Sequence, residues 1–383
     1  MRVLHFGRFH SETNPGGVQH YVDSLIQALA GQVVSDNLVS GVGREAREHL
    51  ALGGGRVYEM PSYGILASVP LSPGILFRAR RLVRENKYDI IHLNFPDPLA
   101  LFVAAFLPPE IPIVVTWHSD VVKQRFALPI YLPILRWFMK RVAAVIVATP
   151  RHIESSHQLR FYRRSERIFV VPFGIDPTRF ELRPAWLPEI QRIRESHAGK
   201  KILFALGRHV YYKGYSFLLS AMKSVENTVL LLGGSGPLTN ELREQALRDG
   251  LTDKVEFLGR LESEQIPWYL HACDIFMFPS VATTEAFGYA QIEAMMCAKP
   301  VICCQLNNGV NYVHQDGVTG LAVEPKNVCD LSRAIEQLLG DEELRARFGS
   351  AAYDRAVGEF SLARMGEQVL RIYQVVISEA RSR

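Results

Sequence analysis

Hydrophobic positions fall in short runs, separated by longer stretches whose apolar residues recur at helical spacing. The runs at 3–6, 89–93, 113–117, 144–148 and 168–171 have the pattern of strands buried on both faces. Between them, residues 17–30, 74–87, 131–141 and 151–163 predict amphipathic helices. The alternation pauses after Val171-Pro172-Phe173-Gly174-Ile175-Asp176, where Pro177, Pro184 and Pro188 read as a linker. It restarts with strands at 201–206, 229–233, 255–259, 275–278 and 301–304. A last helix, at about 362–379, has no strand after it. Strand–helix alternation predicts parallel sheets with crossover helices. The expected fold is therefore α/β: two Rossmann-like, doubly wound domains, at 1–183 and 184–359. Open parallel sheets bind ligands beyond the carboxyl ends of their strands, so two facing sheets would place the chemistry in strand-end loops lining a cleft.

Composition refines this picture little: 48% hydrophobic and 21% charged residues suit a globular chain. Its 383 residues suffice for two cores. No apolar stretch approaches the roughly 18 residues of a spanning helix, and the opening reads as a strand, not a signal peptide. The cysteines, at 273, 297, 303, 304 and 329, form no Cys-x-x-Cys pair, which points to a reducing, cytoplasmic compartment. Charge is uneven. Residues 1–183 carry 22 Lys and Arg against 15 Asp and Glu; residues 184–383 carry 21 against 24. A solvated basic face and attraction to anionic lipid or a phosphorylated acceptor both fit that excess. Residues 74–84 and 125–141 mix apolar and basic positions at helical spacing, as ordinary sheet-packed helices or a bilayer-facing surface would.

Five segments at strand ends carry candidate chemistry. Asn14-Pro15-Gly16-Gly17-Val18 lies between the first strand and first helix, where a tight turn and close approach to an anion both fit. Thr116-Trp117-His118-Ser119-Asp120 places His118 at a strand end, in a structural role or facing a sugar hydroxyl. In Gly207-Arg208-His209-Val210-Tyr211-Tyr212-Lys213-Gly214, Arg208 and Lys213 suit convergence on one diphosphate, the first as a flat bidentate donor and the second as a point charge. Gly233-Gly234-Ser235-Gly236-Pro237 makes a turn or admits a ligand. The most specific is Glu285-Ala286-Phe287-Gly288-Tyr289-Ala290-Gln291-Ile292-Glu293, in which N–H groups at Ala286, Phe287 and Gly288 would face a phosphate at a helix N-terminus. A helical rise would set Glu285 and Glu293 about 12 Å apart, one for a sugar and one for a ribose.

This last segment resembles the Glu-x7-Glu signature of family 4 retaining glycosyltransferases, which have the GT-B fold. Pro15-Gly16-Gly17, the His118 loop, Pro172-x-Gly174-x-Asp176, Arg208 with Lys213, Gly234-x-Gly236-Pro237 and Glu293-Ala294-Met295 with Pro300-Val301-Ile302 follow in the family's order. The resemblance implies a nucleotide-diphosphate sugar as donor substrate, with neither bound metal nor cofactor. Arg208 and Lys213 would stabilise the leaving diphosphate. Glu285 would bind the donor sugar, with Ala286, Phe287 and Gly288 on the phosphate and Glu293 on the ribose. Gly16 and Gly17 would approach from the first domain, and His118 would contact the sugar near its 6-position. The final helix, residues 360–383, would pack back on the first domain. The segments 118–124 and 311–317 look like a subgroup that assembles bacterial O-antigen and related polysaccharides. That likeness implies transfer of mannose or D-rhamnose from a GDP-sugar to a lipid-linked saccharide, by an enzyme peripheral to the inner face of the cytoplasmic membrane and without a nucleic-acid partner. Two departures stand out: Gln19 and His20, where many relatives are acidic, and Asn307-Asn308-Gly309-Val310-Asn311-Tyr312-Val313, where many carry Gly-Gly and Glu. The alternatives are a UDP-sugar-dependent transferase, a UDP-sugar 2-epimerase of the same shape and a non-catalytic sugar-binding module.

Overall fold

The computed structural model describes residues 1–9, 17–66, 69–121 and 128–382. The first-half strands are β1 (Arg2–Phe9), β2 (Val34–Ser40), β3 (Arg47–Leu50), β4 (Arg56–Met60), a small ribbon of β5 (Ile65–Leu66) and β6 (Val69–Pro70), then β7 (Ile90–Phe95), β8 (Ile113–Trp117), β9 (Val142–Val147) and β10 (Ile168–Val170). Apart from the ribbon they form one sheet in the order β10-β9-β8-β7-β1-β2-β4-β3, parallel except for β3 against β4. The strand order reverses beside β1, so the β1 and β7 ends form the switch point of a doubly wound sheet. Helices α1 (Gly17–Ala28), α2 (Gly74–Glu85), α3 (Pro98–Ala105), α4 (Leu128–Met139) and α5 (Pro150–Ser155) connect them.

The second half repeats the plan with α6 (Leu187–Ser196), β11 (Lys201–Leu206), α7 (Tyr215–Met222), β12 (Thr228–Gly233), α8 (Thr239–Arg248), β13 (Val255–Gly259), α9 (Ile266–Ala272), β14 (Ile275–Phe278), α10 (Tyr289–Met296), β15 (Val301–Cys304), α11 (Gly309–Val313), β16 (Gly320–Val323), α12 (Val328–Gly340) and α13 (Glu342–Phe360). Its six strands are all parallel, in the order β13-β12-β11-β14-β15-β16, with the switch point between β11 and β14.

One compact unit is Met1–Gly174 together with the chain from Leu362 onward; the other is Ile175–Ser361. The second unit thus begins before the 183/184 boundary expected from the prolines. Phe180 is buried there, and His271 Nε2 is hydrogen-bonded to its carbonyl at 2.8 Å, so this stretch is anchored rather than free. The last helix, α14 (Leu362–Arg381), packs on α1. Buried Tyr373 of α14 shares a 2.5 Å hydrogen bond with His92 of β7.

Three departures from the sequence pattern have physical causes. β2 reads as polar, yet Ser35, Asp36 and Asn37 are buried. Asp36 accepts from Arg2 Nε at 2.9 Å, Tyr88 Oη at 2.6 Å and Arg56 N at 2.9 Å, which offsets its desolvation. The helix expected over 151–163 ends at Ser155, because Asp120 captures the Ser156 hydroxyl and the N–H groups of His157 and Gln158. Residues 285–288 are not helical: Gly288 is left-handed, with φ of 85°, and α10 starts one residue later. The helical-rise estimate for Glu285 and Glu293 therefore does not hold across the turn.

Candidate functional site

In the second unit, the loops after β11 and β14 bring together residues far apart in sequence. Lys213 Nζ and Glu285 Oε2 are 2.5 Å apart, with side chains only 13% and 12% exposed. Ser280 donates its hydroxyl to Glu285 Oε2 at 3.1 Å. The Lys213 ammonium also lies 4.8 Å from the Phe278 ring centre, so the cation sits on an aromatic face at one side and a carboxylate at the other. Arg208 leaves the same β11 loop, exposed, and its side chain has no hydrogen-bond or ion-pair partner among the described residues. Its planar set of donors is available to an anion.

The Glu285–Gly288 turn leads into α10. Ala286 is exposed while Phe287 and Gly288 are buried. The N–H groups of Ala286 and Gly288 find no acceptor among the described residues. A helix N-terminus with free N–H groups attracts negative charge. Glu293 lies within α10, partly buried, and burial raises its carboxyl pKa while Arg179 draws it down. The glycines after β12 have a packing reason: a Cβ on Gly234 would sit 2.0 Å from the Gly207 carbonyl oxygen. They let two strand-end loops touch backbone to backbone.

Three side chains here escaped the sequence pattern: Ser280, Asn308 and Gln291. Asn308 donates to the Glu285 carbonyl at 2.6 Å, and buried Gln291 donates to the Phe287 carbonyl at 3.0 Å. The one signal was the unusual Asn307-Asn308-Gly309 segment; Ser280 and Gln291 gave none.

In the first unit, His118 follows β8. Its Nε2–H donates to Asn94 Oδ1 at 3.2 Å, while Asn94 Nδ2 donates to the Phe6 carbonyl at 3.2 Å. Tyr21 meets the His118 ring edge-on at 5.0 Å, and Phe173 lies 5.4 Å from it. Burial, reinforced by His152, lowers the His118 pKa to about 3. The imidazole is neutral near pH 7 and acts as a hydrogen-bonding group there. Asp120, from the same motif, accepts from the Ser156 hydroxyl, the His157 and Gln158 backbone N–H groups and the Trp117 indole N–H. Gly17 starts α1, and no atom of the described residues lies within 4 Å of where its Cβ would sit. Gly16 lies outside the described residues, as do residues 10–15.

Residues 15–179 match the family described as Glycosyltransferase Family 4, and residues 188–355 match Glycosyl transferases group 1. The chain is 32% identical over 339 residues to D-rhamnosyltransferase WbpZ of Pseudomonas aeruginosa, covering 88% of this chain and 86% of that protein. The chain is a family 4 glycosyltransferase. This glycosyltransferase is also 29% identical over 380 residues to O-antigen chain mannosyltransferase C of Escherichia coli, spanning 98% and 99% of the two chains. Its fold is GT-B. HepE of Anabaena, solved in complex with UDP, superposes with a TM-score of 0.76 over 98% of this chain and 100% of that one, at 22% identity.

Glu293 gives a first prediction. Its folded pKa is raised, so between the unfolded and folded values the native state holds more protons than the unfolded one. Stability therefore falls as pH rises through that window, and the cost is complete above it. Glu293→Gln is expected to raise the melting temperature at pH 7–8, with the gain shrinking as pH falls through the raised folded value and gone below about pH 4, and to weaken nucleotide binding. Calorimetric melts and nucleotide titrations check both; unchanged nucleotide affinity would remove Glu293 from the site.

Proposed function

We propose that this glycosyltransferase moves a hexose, mannose or D-rhamnose, from a GDP-sugar to a lipid-linked saccharide during assembly of a bacterial surface polysaccharide such as O-antigen. The reading carries over the sugars and polymer named for the two bacterial relatives. The observation that carries the chemistry is the Lys213–Glu285 pair beside the exposed Arg208 and the N–H groups of Ala286 and Gly288, which find no acceptor among the described residues. Lys213 and Arg208 would neutralise the departing diphosphate, and the α10 N-terminus would add its dipole. Protein cations would thus do the work of a metal. Glu285 would hold hydroxyls of the donor sugar, Glu293 the ribose, and neutral His118 would accept a hydrogen bond from a sugar hydroxyl. Transfer would retain the anomeric configuration.

A thermal-shift series with GDP, UDP, ADP and dTDP tests the donor. At 100 times its dissociation constant, the cognate nucleotide is expected to add about 2.7 kcal/mol. A shift with UDP alone would sink the GDP reading and favour a UDP-sugar donor, the nucleotide held by the HepE structure. No shift with any diphosphate would sink the site. Product stereochemistry by NMR tests retention, and undiminished turnover in EDTA tests metal independence.

The acceptor side rests on α2, α3 and α4. No helix among the described residues is long and apolar enough to cross a membrane. Ile75, Ala79 and Leu82 of α2, and Leu135 and Phe138 of α4, belong to the buried core, so their apolar sides are already used. The outward faces instead carry Phe77, Phe102, Phe106 and Trp137, all exposed, beside Arg80, Arg84, Arg136 and Lys140. Exposed aromatics among basic residues suit an anionic interface on the cytoplasmic side, at about 1 kcal/mol per basic group. Sedimentation is expected with anionic liposomes and not with neutral ones, and is expected to be lost at high salt. Equal binding to both, or to neither, would overturn the membrane assignment.

A further inference from the structure

The 285–288 turn is held from outside by amide side chains. Asn308 uses both halves of its amide: Nδ2 donates to the Glu285 carbonyl at 2.6 Å and to the Thr283 carbonyl at 3.4 Å, while Oδ1 accepts from Val310 N at 3.0 Å. Gln291, fully buried, donates Nε2 to the carbonyls of Phe287 at 3.0 Å and Val310 at 3.1 Å. Gly309 fills the remaining gap, where a Cβ would lie 1.9 Å from the Ala286 carbonyl oxygen.

These contacts set direction as well as position. A trans peptide is a rigid plane whose C=O and N–H point opposite ways. Pinning the Glu285 carbonyl on Asn308 therefore fixes where the Ala286 N–H points, away from Asn308. Pinning the Phe287 carbonyl on Gln291 aims the Gly288 N–H in the same manner. Neither N–H has an acceptor among the described residues.

We propose that Asn308 is a positioning residue for the donor: it aims the Ala286 N–H at the sugar-proximal phosphate by holding the Glu285 carbonyl. The proposal rests on the donor-site reading given above. In that reading Glu285 meets the sugar and Glu293 the ribose, so Ala286, next to Glu285, faces the phosphate nearer the sugar. Nucleoside monophosphates lack that phosphate.

The cap on α11 and the clamp on Glu285 use different atoms of one side chain, so substitution separates them. Asn308→Ser keeps a neutral acceptor for the cap and loses the amide donor. Asn308→Asp keeps the cap, since Asp and Asn cap equally well, and also loses the donor. Calorimetric titrations of the full chain with GDP and GMP, and with UDP and UMP, read the result beside melting curves. Both variants are expected to melt within about 2 °C of the parent, because the cap survives. Diphosphate affinity is expected to fall about tenfold in Asn308→Ser and at least as far in Asn308→Asp, the scale of a lost hydrogen bond to a charged group. Monophosphate affinity in Asn308→Ser is expected to change less than about twofold, for want of the phosphate concerned. Parent-like diphosphate affinity in Asn308→Ser would overturn the proposal. Equal losses for mono- and diphosphate, with a lowered melting temperature, would reduce Asn308 to a structural cap. A parent protein that binds no diphosphate would overturn the donor-site reading and this proposal together.

Discussion

Lys213→Ala is expected to lower turnover by about 10²–10³-fold, the usual cost of removing one preorganised charge donor. The same substitution leaves the Glu285 carboxylate, 12% exposed, with Ser280 but without its cation. A stability loss of about 1–3 kcal/mol is expected as well, from a partly buried acceptor that loses its partner. Arg208→Ala provides the contrast. The Arg208 side chain is exposed and has no hydrogen-bond or ion-pair partner among the described residues, so its loss should match Lys213→Ala in rate and leave the melting temperature unchanged. Adding Glu285→Ala to Lys213→Ala should restore part of the lost stability and none of the activity, because contacting residues are not additive. Initial rates and thermal melts on the three variants decide the matter. Normal turnover in Lys213→Ala and in Arg208→Ala would remove both from the reaction.

Gly214→Ala is expected to be nearly as damaging for a different reason. Gly214 has φ of 72° between Lys213 and α7, and a Cβ there would lie 1.9 Å from the Pro279 carbonyl oxygen. Left-handed backbone at a non-glycine costs about 1–3 kcal/mol, and the clash adds to it. Relief means moving the Lys213 arm away from the segment that carries Ser280 and Glu285, so activity should fall with stability. Gly199→Ala isolates the backbone part, since Gly199 has φ of 79° and, among the described residues, nothing within 4 Å of where its Cβ would sit. Melts should show a clearly larger loss at Gly214 than at Gly199. Equal losses would show that the Pro279 contact yields at no cost.

Much of the fold was legible because a parallel strand buried on both faces must be apolar throughout. The runs that became β7, β8, β9, β11 and β14 stood out on that ground, and their alternation with helices places Arg208, Lys213, Glu285 and His118 at strand ends. β2 was invisible to the same test. Its buried Asp36 is satisfied by Arg2, Tyr88 and Arg56, and no local pattern announces a partner dozens of residues away.

By itself, then, the sequence determined two parallel α/β sheets, the loops that bear the candidate chemistry and the family. Periodicity and motif order are properties of neighbouring residues. Only the tertiary structure decided that Glu285 pairs with Lys213 and Ser280, that residues 285–288 form a turn outside α10, and that Asn308 and Gln291 hold that turn. It also decided that the apolar sides of α2 and α4 are spent on the core, leaving aromatic and basic residues outward. Each of these depends on which carbonyl, carboxylate or apolar face the folded chain brings within contact distance, and that proximity has no period along the sequence.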